Sequence, residues 1–200
     1  RMRLETDYPW QGGVALTIES AGERPWALSI RLPAWLRSAD ARVAGEPVTI
    51  DHSSGALVVE RVWSAGDRLE LELEMPARFT LPHPSIDAAR GCAALERGPL
   101  VYCLEQADLA EGTPLDDVEI ELDGQPSLSA ADGLPADIQA LTTRARIRPH
   151  ARPPDPWPYA PADEAETTEG ESTTITAIPY FAWANRAPGP MRVWLPVAHR

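Results

Sequence analysis

An all-β chain of two antiparallel β-sandwich units, jelly-roll or Ig-like, with little or no helix, is what this sequence predicts. Three features predict it. Apolar residues recur with period two through several short runs, turn-forming dipeptides separate those runs, and 21 prolines leave long helices almost nowhere to form.

The clearest run is Leu69, Leu71, Leu73 and Met75, interleaved with Glu70, Glu72 and Glu74. Only an extended chain sends those two sets to opposite faces, so the four apolar residues are expected inward and the glutamates in solvent. The same pattern recurs at Val14, Leu16 and Ile18, at Trp26, Leu28, Ile30 and Leu32, and at Leu57 and Val59. Farther on it returns at Val118, Ile120 and Leu122, at Leu141, Thr143, Ala145 and Ile147, and at Met191, Val193 and Leu195. Gly12-Gly13, Ala44-Gly45, Ser54-Gly55, Ala65-Gly66, Asp123-Gly124 and Pro188-Gly189 supply the turns between strands. At most a single helical turn is expected, near residues 135–140.

Two prolines in Leu81-Pro82-His83-Pro84 punctuate the end of a strand, and the division is expected there. Residues 1–84 would form the first sandwich and residues 85–200 the second. Inside the second lies a long loop, 149–171, rich in proline and then acidic. The chain starts within sequence that reads as structured, so it is expected to be a piece of a longer protein.

Composition narrows the function. The chain holds 18 basic residues, every one an arginine, against 30 acidic ones, a formal net charge of −12. That balance repels phosphate backbones and anionic lipid, so no nucleic-acid or membrane partner is expected. Cys92 and Cys103 are too few for a disulfide framework, and His52, His83, His150 and His199 stand singly, so no metal or other cofactor is expected in this stretch. A tight turn at Arg97-Gly98 would set the two cysteines opposite each other. A single bent strand through Gly98-Pro99 is the alternative, with both thiols free and buried.

Three stretches carry a family resemblance. Thr6-Asp7-Tyr8-Pro9-Trp10 followed by Gly12 resembles the segment after the catalytic barrel in glycoside hydrolase family 127, the family of β-L-arabinofuranosidases. Arg97-Gly98-Pro99-Leu100-Val101-Tyr102-Cys103-Leu104-Glu105 is similar to that family's strand entering its last domain. Ile178-Pro179-Tyr180-Phe181-Ala182-Trp183-Ala184-Asn185-Arg186 is similar to its C-terminal signature. Gln11 departs from the family pattern, and so does Ala187, where glycine is usual; Gly189 is the nearby residue that could supply a left-handed turn.

The resemblance implies a non-catalytic accessory region that braces an absent N-terminal helical barrel, with a homodimer interface as a further use. It implies that a zinc-bound cysteine nucleophile belongs to that barrel and not to Cys92 or Cys103, and that the whole enzyme acts on arabinose-containing glycans. Structural roles follow for Asp7, Tyr8, Trp10, Arg97, Gly98, Pro99, Tyr180, Trp183, Asn185 and Arg186. The rival reading is an independent carbohydrate-binding or protein-interaction module.

Among the seven tryptophans, Trp26 and Trp63 sit in strand patterns and read as core. Trp157 and Tyr159, in the proline-rich loop, are the candidates for a sugar or domain contact, against ordinary packing within that loop. Asp116-Asp117 and the pair Glu119 and Glu121 suggest a glycosidase dyad only superficially. The alternation of that strand puts the glutamates on its solvent side, so a hydrated face is expected. No residue of the chain is assigned a catalytic role.

Overall fold

The alternating run at residues 69–75 becomes the centre of a sheet. The computed structural model describes residues 1–148 and 170–198, which divide into two units, Arg1–Pro76 and Ala77–Arg200. In the first, strands β1 (Met2–Thr6), β2 (Gly13–Ile18), β4 (Ala39–Val43), β5 (Glu46–Val48) and β7 (Arg68–Leu73) form an antiparallel sheet in the order β1-β2-β7-β4-β5. A separate hairpin pairs β3 (Trp26–Arg31) with β6 (Ala56–Arg61).

Leu69, Leu71, Leu73 and Met75 are buried, as the alternation requires, with Ile18, Leu28, Leu32, Val43, Leu57 and Trp63 completing the core of this unit. Trp63 is 2% exposed, donates its indole N–H to the Trp26 carbonyl at 3.1 Å, and packs its ring 5.5 Å from that of Trp26. Both tryptophans serve packing, as their strand positions imply. Removing one methylene from this core by Ile18→Val is expected to cost about 0.5–1.5 kcal/mol in urea unfolding, whereas Glu74→Gln on the exposed side should shift stability by less than about 0.5 kcal/mol.

The second unit curls one nine-stranded sheet around its core. Its strands are β8 (Ala77–Thr80), β9 (Cys92–Arg97), β10 (Leu100–Glu105), β11 (Val118–Ile120), β12 (Ser127–Ser129), β13 (Ala140–Ile147), β14 (Glu171–Pro179), β15 (Met191–Arg192) and β16 (Leu195–Pro196). The main path runs β11-β13-β14-β10-β9-β16, with β12 on β13, β15 on β10 and β8 on β9. A bridge from Ile120 to Val197 joins the two ends of that path, and the Ala198 N–H donates to the Ile120 carbonyl at 3.0 Å. Helix is confined to single 3-10 turns among the described residues.

The division between units falls at Pro76–Ala77, ahead of the two prolines at 82 and 84. The reason is pairing: residues 77–80 align antiparallel with Ala94–Arg97 of β9, so this short strand belongs to the second sheet. The prolines mark a turn inside the second unit.

Strands β9 and β10 form a hairpin through Gly98-Pro99, with Arg97 opposite Leu100 and Glu96 opposite Val101. Gly98 takes φ +55° at the first turn position, where an L side chain is unfavourable. Pro99 takes the second, where no ladder N–H is needed. This settles the tight turn over the bent strand, in a register that does not oppose Cys92 to Cys103, and both thiols are free. Cys103 is buried; Cys92 is only half-buried, because it lies at the start of β9 beside the Gly91 turn.

Candidate functional site

The pairing of β10 with β14 sets Tyr102 against Pro179 and Cys103 against Ile178, so the ends of two distant stretches arrive side by side. After β10 the chain makes a 3-10 turn at Gln106–Asp108, and after β14 another at Tyr180–Ala182. Between these turns lies a buried ion cluster.

Arg186 forks onto Asp108, with Nη1–Oδ1 and Nη2–Oδ2 both at 2.7 Å, and its Nη2 also donates to Glu105 Oε2. Its Nη1 reaches the Asp132 carbonyl at 3.1 Å. The other Glu105 oxygen accepts the Ala184 N–H at 2.7 Å. Side-chain exposure is 12% for Arg186, 4% for Glu105 and 9% for Asp108, so the low dielectric around them strengthens each contact. Asp108 foremost, with Glu105 adding, holds the guanidinium above its ordinary pKa, against the opposing effect of burial.

That cluster fixes the loop it closes. Ala184 adopts φ +61°, a left-handed conformation unfavourable for alanine, and its N–H is the one gripped by Glu105. The left-handed position therefore precedes Arg186; neither Ala187 nor Gly189 takes positive φ. Held this way, Tyr180 and Trp183 present their rings outward at 46% and 41% exposure, stacked with centroids 6.2 Å apart and planes at 20°. The Trp183 indole N–H donates to the Gly189 carbonyl at 3.2 Å. Asn185 is exposed, with its backbone N–H on the Ala182 carbonyl.

The other signature residues lie apart from this cluster along the chain. Asp7, Tyr8 and Trp10 form the loop between β1 and β2, where the Asp7 carbonyl accepts the N–H groups of Trp10 and Gln11 at 2.8 and 3.1 Å. Arg97 is 7% exposed and donates to the Gln139 amide oxygen at 3.2 Å. Trp157 and Tyr159 lie outside the described residues.

Glu121 is a correction. The alternation placed it in solvent, but Leu122 is 39% exposed and Glu121 is 6% exposed. Strand β11 ends at Ile120, and the chain there turns the carboxylate toward two arginines, Arg146 Nε at 2.6 Å and Arg144 Nη2 at 2.7 Å. Glu119 meets Arg148 at 3.0 Å. Both carboxylates are thus committed to arginine partners.

Cys103 is likewise ill suited to nucleophilic chemistry. Burial foremost, then Glu105 and Asp108, push its thiol from 9.0 up to about 12, with Arg186 opposing. Because the folded state retains a proton that the unfolded chain releases, stability should be full below about pH 9 and fall as pH rises toward about 12. The slope from this group is at most about 1.4 kcal/mol per pH unit. Urea midpoints across that window should flatten in Cys103→Ala, leaving a residual slope from Tyr102, whose pKa burial also raises. Among the described residues, no three His, Cys, Asp or Glu side chains converge as metal ligands.

Comparison with known proteins places this geometry. Residues 77–196 match the glycoside hydrolase family 127 C-terminal domain, and residues 1–75 match the β-L-arabinofuranosidase, GH127 middle domain. A non-reducing end β-L-arabinofuranosidase of Bifidobacterium longum subsp. longum is 35% identical over 94% of this chain and 29% of that protein. A solved glycoside hydrolase aligns with TM-score 0.85 at 33% identity, over 99% of this chain and 32% of its own. A GH127 β-L-arabinofuranosidase from Geobacillus stearothermophilus T6 aligns with TM-score 0.81 at 33% identity, over 98% of this chain and 30% of its own. The chain thus spans about 30% of the length of these relatives.

Proposed function

The chain belongs to glycoside hydrolase family 127, and from that premise we propose that it is the non-catalytic β-sandwich region of a longer β-L-arabinofuranosidase-like hydrolase. Its work is to brace the remainder of that protein, which holds the chemistry, any zinc and the site for an arabinose-containing glycan. A homodimer interface is a second use of the same region.

The observation that carries this reading is the pairing of a rigid buried cluster with an outward aromatic pair. Glu105, Asp108 and Arg186 commit a buried charge network to holding one short loop, and the product is the stacked Tyr180–Trp183 surface. Large aromatic rings held outward at this exposure suit an interface anchor, since they bury much area at little rotamer cost. Of the groups that resemble catalytic ones in the sequence, Glu119 and Glu121 are engaged by arginines, and burial keeps the Cys103 thiol protonated.

The test compares turnover of an aryl β-L-arabinofuranoside by this chain, by the longer protein, and by the longer protein carrying Tyr180→Ala and Trp183→Ala. Turnover is expected only with the longer protein. The double variant should lower the melting temperature of the longer protein by several degrees while leaving that of the 200-residue chain within about a degree. Hydrolysis by the chain alone, or an unchanged melting temperature in the longer variant, defeats the reading.

A further inference from the structure

We propose that the core-facing side of β1 is a docking surface for the part of the longer protein that precedes residue 1. This deepens the bracing role and rests on the same reading, but it concerns the first unit and not the aromatic pair of the second.

Strand β1 carries the alternation of a half-buried strand, with Met2, Leu4 and Thr6 on one side and Arg3 and Glu5 on the other. Its ladder shows which side is which. Met2 lies opposite Ile18, Leu4 opposite Leu16 and Thr6 opposite Val14; beyond them Leu16 lies opposite Leu69 and Val14 opposite Leu71. Directly opposed residues share a face, so Met2 and Leu4 stand on the side that carries the core. Arg3 and Glu5 take the other side, where Glu5 meets Arg68 at 3.1 Å.

That face is covered unevenly. Leu69 and Leu71 of β7 are 0% and 3% exposed, Val14 and Leu16 of β2 are half-buried, and Met2 and Leu4 are 49% and 59% exposed. The facing layer explains the gradient, because it is a hairpin of two strands, β3 and β6, set against five. Strands lie about 4.8 Å apart, so two of them roof only part of a five-stranded sheet. Leu32 and Trp63, just past the ends of β3 and β6, extend that roof, yet β1 stays open. Two apolar side chains in sequence on the core face of an edge strand are a surface that folded sheets keep covered.

Three observations name the occupant. The chain covers only 29%, 32% and 30% of its relatives, and residues 1–75 match a middle domain, so those relatives carry sequence ahead of this stretch. Such sequence would join at Arg1, next to Met2, since the Arg1 carbonyl accepts the Glu19 and Ser20 N–H groups at 2.8 and 3.2 Å and ties the start of β1 to the end of β2. An element attached there is tethered beside the bare face, and high local concentration lets a small contact hold it. A free partner faces a harder requirement, because two half-exposed side chains fall far short of the roughly 1,200–2,000 Å² that a stable interface between separate molecules buries. Met2 and Leu4 offer no strong hydrogen-bonding group, so they select apolar side chains on that element.

Methionine oxidation by peroxide, followed by peptide mass in the 200-residue chain and in the longer protein, tests this. Met2 should oxidise readily in the chain, while Met75, 9% exposed, stays slow in both proteins as the internal control. In the longer protein Met2 should oxidise at least about tenfold more slowly, and so should the reporter variant Leu4→Met, which keeps the strip apolar and lies inside the strand. Leu4→Glu should lower the melting temperature of the longer protein by several degrees and that of the chain by less than about a degree, because the chain alone already leaves this side chain in water. Equal oxidation rates in the two proteins, at Met2 or at the Leu4→Met site, overturn the proposal, as does an unshifted melting temperature in the longer Leu4→Glu variant. Protection that appears in the 200-residue chain alone as its concentration rises means that a second copy covers the strip, and overturns it too. The bracing role is decided separately, by where turnover resides and by the Tyr180 and Trp183 variants, so this surface can fail while that role stands.

Discussion

Arg186→Met should lower the stability of the chain by about 3–5 kcal/mol, because it leaves two buried carboxylates without their cation. Glu105 and Asp108 cannot regain water without opening the loop that Arg186 closes. Arg186→Lys should recover only part of the loss. A lysine ammonium cannot grip both Asp108 oxygens and Glu105 in the planar geometry that the guanidinium uses. Urea unfolding of the two variants beside the parent chain checks both statements. A loss below about 1 kcal/mol would mean the cluster behaves as an exposed ion pair.

This cluster also shows what a linear reading can and cannot recover. The alternation at residues 69–75 fixed which face is inward because one side of β7 meets the core and the other meets water. Strand β10 defeats that logic: Tyr102 and Leu104 enter one hydrophobic cluster, Cys103 enters another, and both faces are covered. Arg186 and Glu105 stand 81 residues apart, and only the β10–β14 pairing joins them. A signal did exist, since each residue closes one of the stretches that carry the family resemblance. Nothing in local pattern says that two such ends meet.

The same limit explains Glu121 and the unit boundary. A run of Val118, Ile120 and Leu122 reads as one alternating strand, yet the strand stops at Ile120 and the following carboxylate is drawn under Arg144 and Arg146. Prolines at 82 and 84 are strong local punctuation, yet the strand before them pairs with β9. In both cases a long-range partner overrode a local signal, which is the usual way tertiary structure departs from propensity.

Gly12→Ala should be the most disruptive small substitution in the first unit, at about 4 kcal/mol or more. Gly12-Gly13 reads in the sequence as a turn, and the conformational freedom of glycine would be the ordinary reason for it. The structure gives a steric reason instead. A Cβ on Gly12 would stand 1.9 Å from the Leu73 carbonyl oxygen and 2.8 Å from its carbon, both main-chain atoms of the adjoining strand. The Gly12 carbonyl also accepts the Leu73 N–H at 3.0 Å, so the two backbones cannot separate without losing that bond. Leu73 is itself core, so a retreat of β7 would loosen the packing around Leu71 and Met75 as well. Gly22 is the control, because nothing lies within 4 Å of the place a methyl group would take there and its φ is not positive. Gly22→Ala should be neutral or stabilising by up to about 1 kcal/mol, through the unfolded chain alone. Urea midpoints for the two alanine variants should therefore move in opposite directions, or Gly12 alone should move. Equal, small shifts would show that β2 and β7 can part at this point, and that the close approach at Gly12 is not needed to hold the sheet.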